Sequence, residues 1–194
     1  MKTVPARVLL ADPPWLLGDP LPGGRGAEAH YPCMPVDAIA RFPLPPLADD
    51  CLLLMWRLAS MQEEALFVAR AWGFTIRTEI VWEKLTKTGK PFFGMGRYVR
   101  ASHEVCLIGT RGRVRVLDRG VRSRFAAQVH EHSRKPDQIY EIAEALSEGP
   151  YVELFARRRR HGWRAIGNEL APMRRKGALA DPRQLSLLKE EAAE

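Results

Sequence analysis

Short apolar runs, set between polar segments that contain glycine and proline, form the main pattern along this chain. A brief uninterrupted apolar run is typical of a strand that is buried on both faces of a sheet. By this pattern, or by a high content of β-branched and aromatic residues, strands are expected at Val8–Ala11, Cys51–Met55, Phe74–Trp82, 103–109, Tyr151–Ala156 and Trp163–Ile166. The segment 113–117 is predicted to be the hairpin partner of 103–109.

Three segments between these strands carry helix signals. Ser60 followed by Glu63 matches a capping box, and Gly73 is a suitable stop, which together predict a helix over 61–72. Pro136 suits the first turn of a second helix, which is expected to end at Gly149 and to bury one apolar face made of Ile139, Ile142, Ala143 and Leu146. A third, short helix is expected at Pro35–Arg41. Strands that alternate with helices predict the α/β class.

The first strand ends in Asp12-Pro13-Pro14-Trp15, the most distinctive group of residues in the chain. Ligands of open α/β sheets bind at the carboxyl ends of the strands, which is where this group lies. Pro13 fixes its own φ and pushes Asp12 toward an extended conformation, and Pro14 fixes the next φ, so the loop is stiff. It offers a carboxylate, backbone carbonyls and an aromatic ring, which are the groups needed to bind the exocyclic amine and the face of a nucleobase.

Length, charge and cysteine content limit the class of protein. The chain has 194 residues and a formal net charge of +7, which allows one domain with a sizeable core and suits a polyanionic partner. No apolar stretch approaches a membrane span of about 20 residues and no signal peptide is recognisable, so we expect a cytoplasmic protein without a membrane segment. The three cysteines are far apart, which argues against a disulfide framework and against a zinc site; no metal is expected.

The tetrad at Asp12 resembles the catalytic motif of methyltransferases that act on the N6 amine of adenine, and further blocks follow it in the family order. These blocks are Tyr31-Pro32-Cys33-Met34, Trp82-Glu83-Lys84, His103 to Gly109, Ser133 to Asp137, Glu153 to Arg157 and Gly162 to Glu169. Together they look like the MT-A type N6-adenine methyltransferase family, over roughly residues 7 to 170.

This resemblance implies an α/β, Rossmann-like methyltransferase fold that depends on S-adenosylmethionine, with a mostly parallel central sheet and helices on both faces. In that family the catalytic strand comes first and much of the cofactor site comes last. The chain agrees, because no glycine-rich turn follows its first strand. We therefore expect a methyltransferase domain over 1–170 and a flexible tail over 171–194.

The resemblance also implies roles for the tetrad. Asp12 is expected to accept one hydrogen bond from the adenine amine and the Pro13 carbonyl to accept the other, while Pro14 stiffens the loop. Trp15 is expected to border the base by stacking, with core packing as the alternative. The methyl group is then expected to pass in line from S-adenosylmethionine to the amine.

For the cofactor, the resemblance points to residues late in the chain. Lys135 is expected to pair with the methionyl carboxylate, close to a helix start that also attracts anions. Arg157 and Asn168 are expected to contact the ribose hydroxyls, with Glu169 beside the adenosine and Glu153 orienting the arginine. A surface lysine at 135 and a turn residue at 168 are the alternatives.

The acceptor base has its own expected residues. Tyr31 and Met34 are predicted to line its pocket, although Met34 suits core packing equally well. Glu104, early in a strand, is expected to hold Lys84 or Arg97 across the active site.

Two basic clusters and a motif in the tail indicate which partners the protein is expected to bind. Residues 111–124 carry six arginines against one acid, and Arg157–Arg160 form a second run. Such runs are either solvated surface or phosphate contacts, and beside a base-modifying motif we favour phosphate contact for at least one. Gln184-Leu185-Ser186-Leu187-Leu188 resembles the motif by which bacterial replication and repair proteins dock on the sliding clamp; the alternative is an amphipathic tail helix.

The function expected from these features is adenine-N6 methylation of DNA, because the tail motif favours DNA over RNA. The same reaction on RNA is the nearest alternative, and a catalytically inactive nucleic-acid-binding homologue is the alternative from another class. No separate target-recognition domain is visible, so sequence preference is expected to be short or weak unless a second subunit, identical or different, supplies it.

Overall fold

A computed structural model of the chain describes residues 3–17, 32–96, 98–130 and 134–170. Its strands, in chain order, are β1 Ala6–Ala11, β2 Leu47–Arg57, β3 Thr75–Leu85, β4 His103–Arg111, β5 Arg124–Gln128, β6 Tyr151–Leu154 and β7 Trp163–Ile166. Its helices are α1 Val36–Ala40, α2 Gln62–Ala71 and α3 Gln138–Leu146, and a short 3-10 turn, Asn168–Leu170, follows β7. Tyr31, Arg97 and the expected tail with its motif at 184–188 lie outside the described residues.

The strands form a seven-stranded sheet in the order β5-β3-β4-β2-β1-β6-β7. Both neighbours of β4 pair with it in antiparallel fashion, and the remaining pairs are parallel, so β4 alone runs against the others. The amino end of β4 therefore lies at the same edge of the sheet as the carboxyl ends of the other strands. The predicted α/β fold with a mostly parallel sheet is confirmed.

Apolar residues of β1 alternate between two cores, one on each face of the sheet. Leu9 and Ala11 pack with residues of α1 and α2, whereas Val8 and Leu10 pack with residues of α3. Burying one such leucine contributes about 1.5–3 kcal/mol, so both faces need a helical cover. The expected placement of helices on both faces is confirmed, and none of the helices described here is long and apolar enough to cross a membrane.

The predicted hairpin over 113–117 is wrong. Residues 113–116 form no strand, and both edges of β4 are already occupied, by β2 and by β3. A hairpin partner would need one of those edges. The chain instead passes on to β5, where no strand was expected and which pairs in parallel with β3.

The capping box predicted at Ser60 is also wrong, although the helix that was predicted from it is present. The residue before α2 is Met61, and no side chain caps the helix start. The first helical hydrogen bond runs from Ala65 N–H to the Met61 carbonyl, so Ser60 lies one residue too early to cap. Gly73, with φ +83°, adopts the left-handed conformation that ends the helix, as expected.

Candidate active site

The carboxyl ends of three neighbouring strands bring the predicted motifs into one row. Ala11 of β1 pairs with Leu154 of β6, and Leu154 pairs with Ile166 of β7. Asp12, Phe155 and Gly167 therefore leave the sheet side by side. In the sheet, β2 lies on one side of β1, and β6 and β7 lie on its other side. Such a reversal of strand order opens a crevice for ligands at the carboxyl ends of the strands.

Backbone hydrogen bonds hold the Asp12–Trp15 loop in place. The N–H of Trp15 donates to the Pro13 carbonyl at 2.9 Å, and the N–H of Met34 donates to the Pro14 carbonyl at 2.7 Å. The Pro13 carbonyl keeps a second lone pair, which leaves it able to accept from a ligand. Met34 thus supports the loop through its backbone, and its predicted place in the base pocket stays a prediction.

Trp15 lies in the core. Its side chain is 3% exposed, and its indole N–H donates to the carbonyl of Trp56 at 3.1 Å. This arrangement corresponds to the core-packing alternative, and it leaves little ring surface for a base. Stacking of Trp15 on the acceptor base has no support in this geometry and stays a prediction.

A chain of alternating charges runs from Asp12 across the sheet. Lys135 Nζ lies 2.9 Å from Asp12 Oδ2 and 3.4 Å from Glu104 Oε2. Lys84 Nζ lies 2.5 Å from Glu104 Oε1, which is the contact expected for Glu104. The reversed direction of β4 makes this chain possible, because it brings Glu104 beside Trp82 at the edge where Asp12 lies.

Aromatic rings enclose the two lysines. Lys135 Nζ is 5.6 Å from the centre of the Trp56 ring, and Lys84 Nζ is 5.2 Å from Trp82 and 5.8 Å from Phe92. Ammonium groups are attracted to the faces of such rings, and the rings also keep water from the ion pairs. These lysines are therefore held in fixed positions.

The carboxyl group of Glu104 is held ionised. Its burial alone would raise the pKa, but the adjacent ammonium groups of Lys135 and Lys84 outweigh this effect, so the pKa of Glu104 is lowered. The four side chains Asp12, Lys135, Glu104 and Lys84 therefore form a balanced set of two negative and two positive charges.

A different buried carboxyl lies on the other side of β1. Glu153 of β6 is 8% exposed, and the hydroxyl of Tyr140 on α3 donates to its Oε2 at 3.0 Å. Burial raises the pKa of Glu153 to about 7, with a further upward contribution from the charge of Asp12; the Tyr140 hydrogen bond and Arg160 oppose this rise. Glu153 is therefore poised between its charged and neutral forms near pH 7.

Arginines cover this second carboxyl from outside. The guanidinium of Arg160 lies 4.7 Å above the Tyr140 ring and its Nε is 3.6 Å from Glu144. Arg158 pairs with Asp137 at the start of α3. No role was expected for Tyr140, and Arg160 was expected only as one member of a basic run; the expected contact of Glu153 with Arg157 stays a prediction.

The loops after β6 and β7 are packed too closely for a side chain between them. A Cβ on Gly167 would lie 2.1 Å from the carbonyl oxygen of Ala156, so the position requires glycine. The N–H of Ala156 donates to the Ile166 carbonyl at 3.0 Å, and the exposed Asn168 follows directly. Asn168 is thereby placed at the mouth of the crevice, while the side chain of Glu169 lies outside the description.

Within the described ranges, no three or more His, Cys, Asp or Glu side chains come together in a way that could hold a metal ion. Four expected residues, Asp12, Lys135, Glu104 and Lys84, form one continuous series of contacts. The binding roles assigned to all of them stay predictions.

The chain is similar to known proteins over most of its length. A family model described as MT-A70 matches residues 6–169. An N(6)-adenosine-methyltransferase MT-A70-like protein of Drosophila melanogaster is 31% identical over 185 residues, which cover 90% of this chain and 28% of that protein. The N(6)-adenosine-methyltransferase catalytic subunit METTL3 of Homo sapiens is 30% identical over 173 residues, or 84% of this chain and 28% of that protein.

A shorter relative is the Type II methyltransferase M.MunI of Mycoplasma sp, which is 28% identical over 190 residues. That match covers 84% of this chain and 77% of the relative. By contrast, the chain spans about a quarter of the length of the MT-A70-like proteins that it matches.

Proposed function

Because this chain belongs to the MT-A70 family, we propose that it transfers a methyl group from S-adenosylmethionine to the N6 amine of adenine in DNA. The observation that carries this proposal is the position of Asp12. Its carboxylate lies at the carboxyl end of β1, beside the ends of β6 and β7, and is fixed by Lys135 at 2.9 Å.

Asp12 and Pro13 suit the amine because they are acceptors on a rigid loop. The nitrogen lone pair of an adenine amine is delocalised into the ring, which makes it a weak nucleophile. Two acceptors that bind both amine hydrogens favour a localised lone pair. Lys135 holds Oδ2 of Asp12, and we assign Oδ1 of Asp12 and the Pro13 carbonyl to the amine. The amine must lose one proton on methylation, and the Asp12 carboxylate is placed to accept it.

The residues beside β6 suit S-adenosylmethionine. A methionyl carboxylate needs a cation, and Lys135 stands within reach of the crevice; ribose hydroxyls need polar partners, such as Arg157 and the exposed Asn168. Glu153 adds a buried carboxyl beside this region. When bound, the cofactor supplies an activated methyl group on a positively charged sulfur. The protein then contributes mainly by fixing the amine in line with that group.

The net charge of +7 suits a nucleic acid of either kind, and two observations favour DNA. The tail segment Gln184–Leu188 resembles a clamp-docking motif of DNA-replication proteins, and a Type II methyltransferase is matched over 77% of its length. RNA is the second candidate, since the relatives named N(6)-adenosine-methyltransferases favour it. We infer further that the tail motif docks on a sliding clamp, which a pull-down comparing wild type with Gln184→Ala/Leu185→Ala would test.

The test is mass spectrometry of nucleosides after incubation with S-adenosylmethionine and, separately, single-stranded DNA, duplex DNA and RNA. We expect N6-methyladenine in DNA with the wild type, and a rate about 10²–10³ lower with Asp12→Ala, the usual cost of losing one preorganised contact. Asp49→Ala is the matched control, because Asp49 is exposed near the amino end of β2, at the opposite edge of the sheet.

Each result of this experiment is informative. Near wild-type turnover by a folded Asp12→Ala protein would refute the role of Asp12. Product in RNA alone would replace DNA by the second candidate. If calorimetry detects cofactor binding but no polymer is methylated, a missing partner subunit is indicated; if neither occurs, an inactive nucleic-acid-binding homologue is the better description.

A further inference from the structure

The loop between β3 and β4, residues 86–102, exposes a group of large apolar side chains. Phe93 is 76% exposed and Tyr98 is 91% exposed, and Met95 and Val99 are also open to solvent. Exposed apolar groups scattered singly are ordinary, but a contiguous set within seven residues marks an interaction site. We call this segment the β3–β4 loop.

Backbone hydrogen bonds give the β3–β4 loop a defined shape. Phe92 N–H donates to the Lys84 carbonyl at 2.9 Å, and Gly94 N–H donates to the Ala101 carbonyl at 3.1 Å. A Cβ on Gly94 would lie 2.3 Å from the carbonyl oxygen of Ala101, so the two arms of the loop approach as closely as glycine allows. The outward position of the rings is thus set by the backbone and costs little further ordering on binding.

The β3–β4 loop is joined to the candidate active site. It begins at the carboxyl end of β3, the edge of the sheet at which Asp12 lies. Phe92 turns inward, with its ring 5.8 Å from Lys84 Nζ, and Lys84 is the outer member of the charge chain that ends at Asp12. Phe93, the next residue, turns outward. A polymer whose adenine reached Asp12 would therefore pass this outer surface.

The charged residues in the sequence of the β3–β4 loop are all basic. Residues 84–103 contain five Lys and Arg and no Asp or Glu. Lys87, Lys90 and Arg100 are exposed, and the Arg100 guanidinium lies 5.2 Å from the centre of the Phe93 ring. Exposed rings interleaved with cations are typical of surfaces that bind single-stranded nucleic acid, in which bases stack on the rings and cations contact phosphates. A duplex offers no such base faces, because its bases already stack on one another.

We propose that Phe93 and Tyr98 stack on unpaired bases next to the target adenine, so that the substrate is a single-stranded stretch of nucleic acid. This inference rests on the proposed function and names its substrate class. Loss of one stacking ring is expected to weaken binding about 5- to 150-fold, the range found for base–aromatic contacts.

The test is fluorescence anisotropy with a labelled single-stranded oligothymidine and, separately, a duplex of equal length, both without cofactor. We expect tighter binding of the single strand, and weaker binding of that strand by Phe93→Ala and by Tyr98→Ala. Phe67→Ala is the matched control, since Phe67 is an exposed phenylalanine on α2, far from this loop in sequence, and it should bind as the wild type does. Phe93→Trp should retain binding, whereas Phe93→Leu, apolar but without a ring, should not.

Equal affinity of wild type, Phe93→Ala and Tyr98→Ala for the single strand would overturn the proposal, as would full binding by Phe93→Leu. Equal dependence of duplex binding on the rings would overturn the preference for unpaired bases. If the same variants lose only self-association or binding to phosphatidylserine vesicles, the loop is an interface for a second copy or a membrane. Because the probe contains no adenine, this binding assay is independent of the methylation assay described above. Ring-dependent binding, together with no methylation of any polymer in that assay, would refute the proposed function alone. Methylation, together with binding that does not depend on the rings, would refute only this inference.

Discussion

Glu104, which is partly buried, and Glu153, which is buried, carry carboxyl groups on opposite sides of β1, and their surroundings shift the pKa values of these groups in opposite directions. Glu104 contacts two ammonium groups, which lower its pKa despite its burial. Glu153 contacts the hydroxyl of Tyr140, and burial raises its pKa to about 7. Both carboxyl groups lie close to α3, so the difference between their pKa values comes from the side chains that contact them.

The comparison shows what each kind of partner can do for a buried carboxylate. An ammonium group at 2.5 Å offsets the loss of hydration by direct charge attraction. A phenol donates one neutral hydrogen bond, which is too little to offset that loss. The site thus has a side that stays charged at neutral pH and fixes Asp12, and a side whose charge changes near pH 7. Pairs of acids separated in this way are characteristic of sites that bind or transform ligands.

Removing the shared cation should break the charged side most severely. Lys135→Met leaves the carboxylates of Asp12 and Glu104 without the ammonium that lies between them. We expect the free energy of unfolding to fall by at most about 3–5 kcal/mol at pH 7, the usual cost of removing one partner from a fully buried ion pair, because these side chains are 17–27% exposed. Urea unfolding at pH 7 measures the loss.

Arg7→Met is the matched control for that change. Arg7 also pairs with a glutamate, Glu148, at 3.5 Å, but both side chains are more than half exposed. An exposed pair of this kind contributes about 0–1 kcal/mol. If Lys135→Met lowers the free energy of unfolding no more than Arg7→Met does, the charge chain from Asp12 to Lys84 does not stabilise the fold. The contrast drawn above between Glu104 and Glu153 would then not hold for Glu104.

Glu153→Gln should remove a pH dependence of stability. The folded-state pKa of about 7 lies above the ordinary value of 4.5, so the folded protein binds this proton more tightly than the unfolded chain does. The associated stability is present below pH 4.5 and is lost as the pH rises through 7, by on the order of 3 kcal/mol. Relative to wild type, Glu153→Gln should therefore become more stable from pH 4.5 to pH 8, as measured by thermal or urea unfolding.

Glu104→Gln should show the opposite sign when the same measurement is extended into the acid range below pH 4.5. The lowered pKa of Glu104 means that its ionised form stabilises the fold above the ordinary value of 4.5, and this contribution is lost as the pH falls through the folded-state pKa. Relative to wild type, the variant should thus lose stability as the pH rises through the acid range to 4.5 and keep a constant deficit above it. Two variants with the same sign would show that partner chemistry does not separate the two groups.

The sequence was sufficient to predict six of the seven described strands and the position of the tetrad, because both depend on local patterns; β5 was not predicted. An apolar run identifies β1, and Asp12 follows it wherever the strand lies in the sheet. Strand neighbours depend on contacts between distant residues, so the antiparallel direction of β4 was not expected, and 113–117 was wrongly paired with it. Glu104 reaches the site only through that direction.

The dependence on contacts between distant residues also limits what could be predicted of the site. Lys135 and Asp12 are 123 residues apart, and each was assigned to a different ligand, yet the structure pairs them. Tyr140 adjoins Ile139, whose apolar spacing identified the helix, and nothing in that spacing indicates that its hydroxyl meets Glu153 on the next strand. Residue types suggest chemistry, whereas partners follow from the packing of α3 on the sheet.

The smallest expected effect concerns the single hydrogen bond on the pH-dependent side. Tyr140→Phe removes the donor that lowers the pKa of Glu153, so this pKa should rise further above about 7. The free energy of unfolding should fall by about 1 kcal/mol at neutral pH. Titration of the Glu153 side-chain carboxyl carbon by NMR measures the pKa directly.

Tyr151→Phe provides the control for this last change, because the Tyr151 hydroxyl donates to the Ser147 carbonyl at 3.0 Å and not to Glu153. It removes the same atom from the same side of the sheet and should leave the pKa of Glu153 unchanged. If the pKa of Glu153 is also unchanged in Tyr140→Phe, burial and the neighbouring charges set this pKa without a contribution from the Tyr140 hydrogen bond. The two sides of the site would then differ because one has ammonium partners and the other is simply buried, with no contribution from the phenol.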